Sequence, residues 1–229
     1  MLKLVKLELT KYPLKWYGVS AIIANLSIII LITLVSYFEP DSEIVFKNVE
    51  EALVVLSSFL RATFVILAAV LIAKLIIEEY KNKTISVLFT YPINRKKMFG
   101  VKLLLIALLT FIALFASNLF SAGVFLLINS YLQIVPGTVN QAFLLHQVLS
   151  ILTFSIATAG TGLIPLYFGL RKHSMPATIL SSLLIVAFTS AHNPSFSLAS
   201  IVYIPLALAI VGVMIASWAI RNVDKVDLT

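Results

Sequence analysis

Apolar residues run along this chain in long continuous stretches that short polar segments separate. Six stretches approach or exceed the length of about 20 residues that a helix needs to cross a bilayer core of about 30 Å. Lipid offers backbone groups no hydrogen-bond partners, so each span is predicted to be helical; the alternation typical of barrel strands is missing. The predicted spans are Tyr17–Phe38, Leu53–Ile77, Val101–Asn129, Val148–Leu170, Pro176–Ala191 and Ala199–Ala219. The fifth is the shortest, and it ends abruptly in the polar sequence SAHNPS.

Composition supports this membrane interpretation. The 229 residues are 60% hydrophobic and only 12% charged, and the mean hydropathy is +1.04. A soluble globular protein carries about 25% charged residues, and a disordered chain could not keep so much apolar surface solvated. The sequence therefore predicts an all-α, polytopic membrane protein with one transmembrane domain over residues 1–229. It contains no cysteine, which excludes disulfides, thiolate nucleophiles and cysteine metal ligands.

The basic residues predict the orientation. All but two of the 17 Lys and Arg residues fall on the side of the N-terminus, the exceptions being Lys47 and Arg61. By the positive-inside rule, both termini are expected in the cytoplasm and the chain in the cell membrane. The net charge of +7 then reflects the orientation of the chain in the membrane, and no nucleic-acid partner is expected. We also expect no cleavable signal peptide, because the basic N-terminal stretch leads directly into a full-length span.

An interfacial amphipathic helix is predicted over residues 1–16. Its apolar residues recur at spacings of three and four, while lysines lie on the other side: the apolar positions are Leu2, Val5, Leu9, Tyr12 and Trp16. Such a helix lies in the inner interface with its lysines toward anionic headgroups, and Pro13 would kink it or separate it from the first span. It could be a topology anchor, or a lever that joins cytoplasmic motion to the first span.

Residues 78–100 form a cytoplasmic connection that is too long for a tight turn. Glu78 and Glu79 end the second span, and Thr84–Thr90 could form two helical turns. The apolar side of these turns would consist of Ile85, Leu88 and Phe89. A short helix of this kind can insert into a groove of another protein. A solvated loop with a few interfacial apolar anchors is equally compatible with the pattern.

The second half of this connection leads into the third span. Tyr91–Pro92 breaks the short helix, because proline fixes its own φ and disfavours helix at the preceding residue. Asn94 can then cap the following helix, and Arg95 and Lys102 lie along its beginning.

These features resemble the ABC type-2 membrane family, the permease subunits of ABC-type exporters. Such permeases have six spans, cytoplasmic termini, and a loop after the second span with an acidic start followed by Thr, Leu, Pro, Arg and Lys. The matching residues here are Glu78 or Glu79, Thr84, Leu88, Pro92, Arg95 and Lys102. Lys83 occupies a position where members often have Gly, which affects where the short helix begins.

The resemblance implies that Thr84–Thr90 is a coupling helix that docks on a separate ABC ATPase subunit. The residues expected to couple to the ATPase are Glu78, Glu79, Thr84, Ile85, Leu88, Phe89, Tyr91, Pro92 and Arg95. A GxxxxGK[ST] phosphate-binding loop does not occur in the sequence, so no cofactor is expected in this chain, and ATP and Mg would bind the partner. The resemblance also implies a second permease, as a homodimer or a heterodimer with a paralogue, surrounded by membrane lipids.

The implied function is outward transport by alternating access, with an amphipathic or antimicrobial peptide, a lipid or a drug as substrate. Asn25 and Asn118 are weak candidates for the substrate pathway, since they are uncharged polar residues within spans. Small residues recur every four positions at Ala113, Ser117 and Ser121, which favours close helix packing. Pro165 is expected to bend the fourth span.

Two other functions are open at this stage. A non-transporting membrane scaffold or assembly factor could use the same basic cytoplasmic surface for docking. An intramembrane protease is disfavoured, because EEYKNK from Glu78 only faintly resembles the EExxxR motif and has Lys83 in place of arginine. His146 and His192 lack a third ligand at helical spacing, so no metal site is expected.

Overall fold

A computed structural model describes residues 15–38, 46, 48–81, 95–132, 134–135, 141–172, 174–189, 192–193, 196–197 and 203–222. Within these residues the regular secondary structure is helical except for one pair of two-residue antiparallel strands, β1 (His192–Asn193) and β2 (Phe196–Ser197). The helical elements are α1 Lys15–Phe38, α2 Val49–Ile72, a π-helical turn Ala73–Ile77, α3 Glu78–Lys81, α4 Arg95–Leu132, α5 Gln141–Thr161, α6 Pro165–Lys172, α7 Met175–Thr189 and α8 Tyr203–Asn222.

Five helical segments of the described chain are long and apolar enough to cross a membrane. They are Lys15–Phe38, Val49–Ile77, Lys96–Leu132, Phe143–Lys172 and Tyr203–Arg221. The fifth predicted span corresponds to α7, whose 15 residues extend about 22 Å, less than the hydrocarbon thickness of about 30 Å. The predicted count of six full spans is therefore not confirmed. The predicted interfacial helix before Lys15 and the predicted coupling helix Thr84–Thr90 lie outside the described residues.

The first and last described helices have their cytoplasm-predicted ends at the same end of the bundle. Trp16, at the start of α1, lies under the ammonium group of Lys74 near the end of α2. Ile220, at the end of α8, lies beside Gly100 at the start of α4. We call this the loop end, because residues 82–94 connect α3 to α4 there, and the opposite one the far end. α8 therefore begins at the far end, and α7, which precedes it, is too short to span by itself.

The fourth predicted span, which was expected to bend at Pro165, is interrupted by a turn directly before this residue. Gly162, Leu163 and Ile164 form a turn between α5 and α6, closed by i→i+3 bonds such as that from the Leu163 N–H to the Gly160 carbonyl at 3.0 Å. Proline has no N–H, so it cannot continue the i→i−4 ladder, and the following helix restarts at Pro165 itself.

Glycines at the end of α5 and in the turn after it allow close approach to two other helices. A Cβ atom at Gly160 would lie 2.7 Å from the Cβ of Ala209 in α8, and one at Gly162 would lie 2.8 Å from the Cβ of Ala68 in α2. A Cβ atom at Gly212 would overlap the carbonyl oxygen of Gly160. In lipid, where apolar surfaces do not drive helices together, such backbone contacts supply the packing energy. They dock α8, which otherwise buries few of its residues.

The bundle is apolar outside and contains many small polar residues inside. Large exposed side chains include Ile22, Leu104 and Leu184, which face outward on α1, α4 and α7. The buried polar residues are mostly hydroxyl-bearing, and several donate to a carbonyl one turn back, as Thr161 does to Ala157 at 2.7 Å. This distribution is that of a helix bundle in lipid, and the chain is a multi-pass membrane protein.

The glycine contact between α5 and α8 predicts opposite effects for two matched substitutions. We expect Gly212→Ala to lower stability, because overpacking costs about 1–3 kcal/mol and a backbone carbonyl cannot move aside easily. Gly123→Ala, which meets no atom within 4 Å, should keep or raise stability, since alanine favours helix by about 1 kcal/mol. Heating the detergent-solubilised protein before size-exclusion chromatography measures both. Equal melting temperatures for the two variants would contradict the docking role of Gly212.

Candidate functional site

The second span ends in a widened helical turn. Ala73–Ile77 form a π-helical turn between α2 and α3, and Leu75, Ile76 and Ile77 are buried there. Lys74 alone of this turn is exposed, and its ammonium group lies 3.9 Å from the ring centroid of Trp16. Single π turns within α-helices are frequent at functional sites, because they change the register of the helix and leave carbonyl groups available to other donors.

A buried ion pair lies beside this turn. The Lys102 ammonium, near the start of α4, donates to the carboxylate of Glu79 and to the carbonyl oxygen of Leu75, the latter at 3.1 Å. Glu79 is only 5% exposed and Lys102 only 2%. One cation thus joins the π turn, the helix after it and the following span.

The local sequence places both charges on buried faces. Phe99, Leu103 and Ile106 are buried, and Lys102 occupies the same face of α4 by helical spacing. Glu79 follows Leu75 and Ile76 by one turn, so it continues the buried face of the second span. A charge at such a position is expensive unless it is paired. The pairing of Glu79 and Lys102 satisfies that requirement.

The structure brings together only part of the predicted coupling segment. Glu79 pairs with Lys102, and Glu78 next to it is partly exposed. Arg95 is the first residue of α4, but its side chain lies outside the described part of the chain. The other predicted coupling residues also lie outside it: Thr84, Ile85, Leu88, Phe89, Tyr91 and Pro92. The ion pair therefore anchors the two helices between which this segment runs.

Sequence reasoning included Lys102 in the family resemblance but not its contact with Glu79. A lysine at a position where apolar residues recur at spacings of three and four signals a buried charge, and Phe99, Leu103 and Ile106 supply that signal. No residue pattern predicted that the Leu75 carbonyl would accept a hydrogen bond from Lys102, because a π turn cannot be predicted from residue types alone.

A second polar group lies within the spans, away from both ends of α1 and α4. The Asn25 side-chain amide in α1 donates to the hydroxyl of Ser117 in α4 at 2.8 Å, and the Asn118 amide donates to the Leu114 carbonyl at 3.1 Å. Both asparagines are buried, and the carbonyl oxygen of each side chain has no hydrogen-bond partner. The hydroxyl groups of Ser121 and Ser155 are also buried without a partner. The two sequence candidates for a pathway thus lie in a polar layer with unused hydrogen-bonding capacity.

No group of three His, Asp or Glu side chains able to hold a metal occurs within the described ranges. His146 is exposed on α5, eight residues on the far-end side of Phe154, whereas Glu79 is at the loop end. The faint protease motif thus has its acidic pair and this histidine at opposite ends of the bundle.

The ion pair predicts a strong coupling between two substitutions. Glu79→Gln or Lys102→Met alone leaves one uncompensated buried charge and should lower stability by about 3–5 kcal/mol. The double variant removes both charges, so its loss should be clearly smaller than the sum of the single losses. Apparent melting temperatures of the four proteins in detergent test this. Strictly additive losses would mean that the two side chains do not act as a pair.

Comparisons with known proteins place the chain in a family. The model of the ABC-2 family transporter proteins matches residues 4–190. The uncharacterized protein YcbO of Bacillus subtilis (strain 168) is 44% identical over 227 residues, which is 99% of this chain and 100% of the relative. No solved structure matches the chain. The resemblance found in the sequence is confirmed at family level, and the chain belongs to the ABC-2 family of transporter membrane proteins.

Proposed function

We propose that this chain is the permease subunit of an ATP-driven exporter and works with a separate ABC ATPase. Members of its family normally act with such a partner. The observation that carries the proposal is the buried pair of Glu79 and Lys102, which holds the helices on both sides of residues 82–94 in one unit. ATP and Mg would bind to the ATPase, and this chain would supply the moving spans.

The distribution of charge supports a cytoplasmic position for the loop end. Within the described residues, the start of α4 and the ends of α6 and α8 carry exposed cations at this end: Lys96, Lys97, Arg171, Lys172 and Arg221. The far end carries Glu50 and Glu51 in the first turn of α2. The positive-inside rule then favours cytoplasmic termini and a cytoplasmic segment 78–100.

The proposed mechanism begins at the coupling helix. The apolar side of Thr84–Thr90, formed by Ile85, Leu88 and Phe89, would insert into a groove of the ATPase. When two ATPase subunits close on nucleotide, their displacement would reach α2 and α4 together, because Lys102 ties Glu79 and the Leu75 carbonyl to α4. The π turn at Ala73–Ile77 provides the irregular point at which the end of the second span can reorient.

The substrate pathway is proposed to include Asn25 and Asn118. Their unpartnered carbonyl oxygens can exchange hydrogen bonds with a polar part of a substrate when the spans rearrange. An amphipathic substrate matches a polar layer set among apolar helices, which favours peptides, lipids or amphipathic drugs. A second permease copy or a paralogue would complete the assembly.

Docking of the ATPase is tested with charged substitutions in the proposed coupling helix. Leu88→Asp and Phe89→Asp should abolish co-purification of the ATPase, because burying an unpaired carboxylate in an apolar groove is unfavourable. Purification from native membranes in mild detergent, followed by identification of every co-eluting chain and an ATPase assay, measures the effect.

The matched control is Tyr131→Asp, at an exposed aromatic side chain at the far end of α4. It should retain the ATPase and its activity. If the Leu88 and Phe89 variants also retain both, the coupling-helix assignment is wrong. If the wild-type chain elutes without an ATPase even after cross-linking, the proposal fails and the scaffold function is favoured.

The substrate class is tested by loss of export in cells. Deleting the gene should increase sensitivity to amphipathic antimicrobial peptides by several-fold, and complementation with the wild-type chain should reverse this. The Leu88→Asp chain should not complement, because export requires the ATPase. Unchanged minimal inhibitory concentrations across a peptide panel would exclude peptide export and leave lipids and drugs as the candidates.

A further inference from the structure

One cation of the second span has no role in the proposed coupling. Arg61 occurs 12 residues after the start of α2 and is partly buried. Its side chain folds back along its own helix, with Nε donating to the Ser57 carbonyl at 3.2 Å and a terminal nitrogen donating to the Ser58 hydroxyl at 2.8 Å. The guanidinium also lies 4.1 Å from the ring centroid of Phe154 in α5.

These contacts fix the guanidinium but do not neutralise it. Within the described residues no carboxylate forms an ion pair with Arg61, and Glu50 and Glu51 lie about 15 Å away along the same helix. A guanidinium has five N–H donors, and the two bonds to Ser57 and Ser58 leave a terminal nitrogen available. A cation at membrane depth is costly without a counter-charge, so an anion is the expected occupant.

The depth of Arg61 indicates where the anion comes from. Eighteen residues separate it from Glu79, which corresponds to about 27 Å along the helix, close to the hydrocarbon thickness of about 30 Å. With the Glu79–Lys102 pair near one headgroup layer, Arg61 reaches the other.

We propose that Arg61, Ser58 and Phe154 form a binding site for the phosphate of an anionic lipid in the far-end leaflet, between α2 and α5. Arginine suits this ligand because its planar fork matches two phosphate oxygens, and because stacking on an aromatic ring orients the fork. The site requires that the chain be embedded in a bilayer, and it does not depend on export or on an ATPase.

The test is native mass spectrometry of the purified full chain titrated with phosphatidylglycerol or phosphatidylcholine. The wild-type chain should prefer phosphatidylglycerol, because the choline group partly neutralises the phosphate of the other lipid. Arg61→Gln should weaken phosphatidylglycerol binding about tenfold, as expected for loss of charge-assisted hydrogen bonds. Arg61→Lys keeps the charge but loses the fork, so its affinity should be intermediate.

The matched control is Lys74→Gln. Lys74 is a cation of the same span as Arg61 and also lies on an aromatic ring, but that ring is Trp16 of α1 at the loop end. This variant should keep wild-type selectivity. If Arg61→Gln binds phosphatidylglycerol as the wild type does, or if Lys74→Gln loses as much affinity, the proposed site is wrong.

A competition experiment separates the two sources of phosphate. Excess inorganic phosphate should not displace phosphatidylglycerol; displacement would mean that the site takes a free anion, and the lipid assignment would fail. Should Arg61→Gln not fold, Phe154→Leu serves instead, since it leaves the charge in place but removes the stacking ring, and it should reduce the lipid preference several-fold. An unchanged preference in a folded Phe154→Leu chain would overturn the proposal.

Discussion

The contact that organises the loop end of the bundle is a single buried cation. Lys102 reaches both the Glu79 carboxylate and the Leu75 carbonyl, so it joins the third span to the widened end of the second. Separating this pair is costly, because each charge would then lie unpaired in an apolar environment. The two helices that flank residues 82–94 must therefore move together or separate at a high energetic cost. That property suits a segment that transmits force.

Packing farther into the membrane depends on a different principle. Helices in lipid gain little from burying apolar surface against one another, so their association depends on close backbone contact. Gly160, Gly162 and Gly212 provide it by bringing α5 against α2 and α8. An ion pair thus holds the helices together at the loop end, whereas close backbone contacts at glycines hold them together in the middle of the bundle.

The sequence predicts the helical spans that a lipid environment requires. It does not predict contacts between residues that are far apart along the chain. The long spans follow from apolar length, and five are present. A bend at Pro165 follows from its missing N–H, and the structure has a turn there that interrupts the helix. The bond between Asn25 and Ser117 joins residues 92 positions apart, and no periodicity within one helix reveals it. The count of six spans failed to be confirmed at α7, where an apolar run of near-spanning length gives a helix of only 15 residues. Yet the start of α1 and the end of α8 lie at the same end of the bundle, so α8 begins at the far end.

Three cations near the second span, all with described side chains, show how depth and partner decide the role of a charge. Lys102 is enclosed and paired with a carboxylate of the protein, so it contributes to the fold. Lys74 is exposed on Trp16 at the loop end, where headgroups and water are close. Arg61 has neither arrangement: it is held by Ser57, Ser58 and Phe154, which orient it without balancing its charge. A guanidinium held so firmly by uncharged groups is preorganised for an external anion, and at its depth the bilayer itself supplies one.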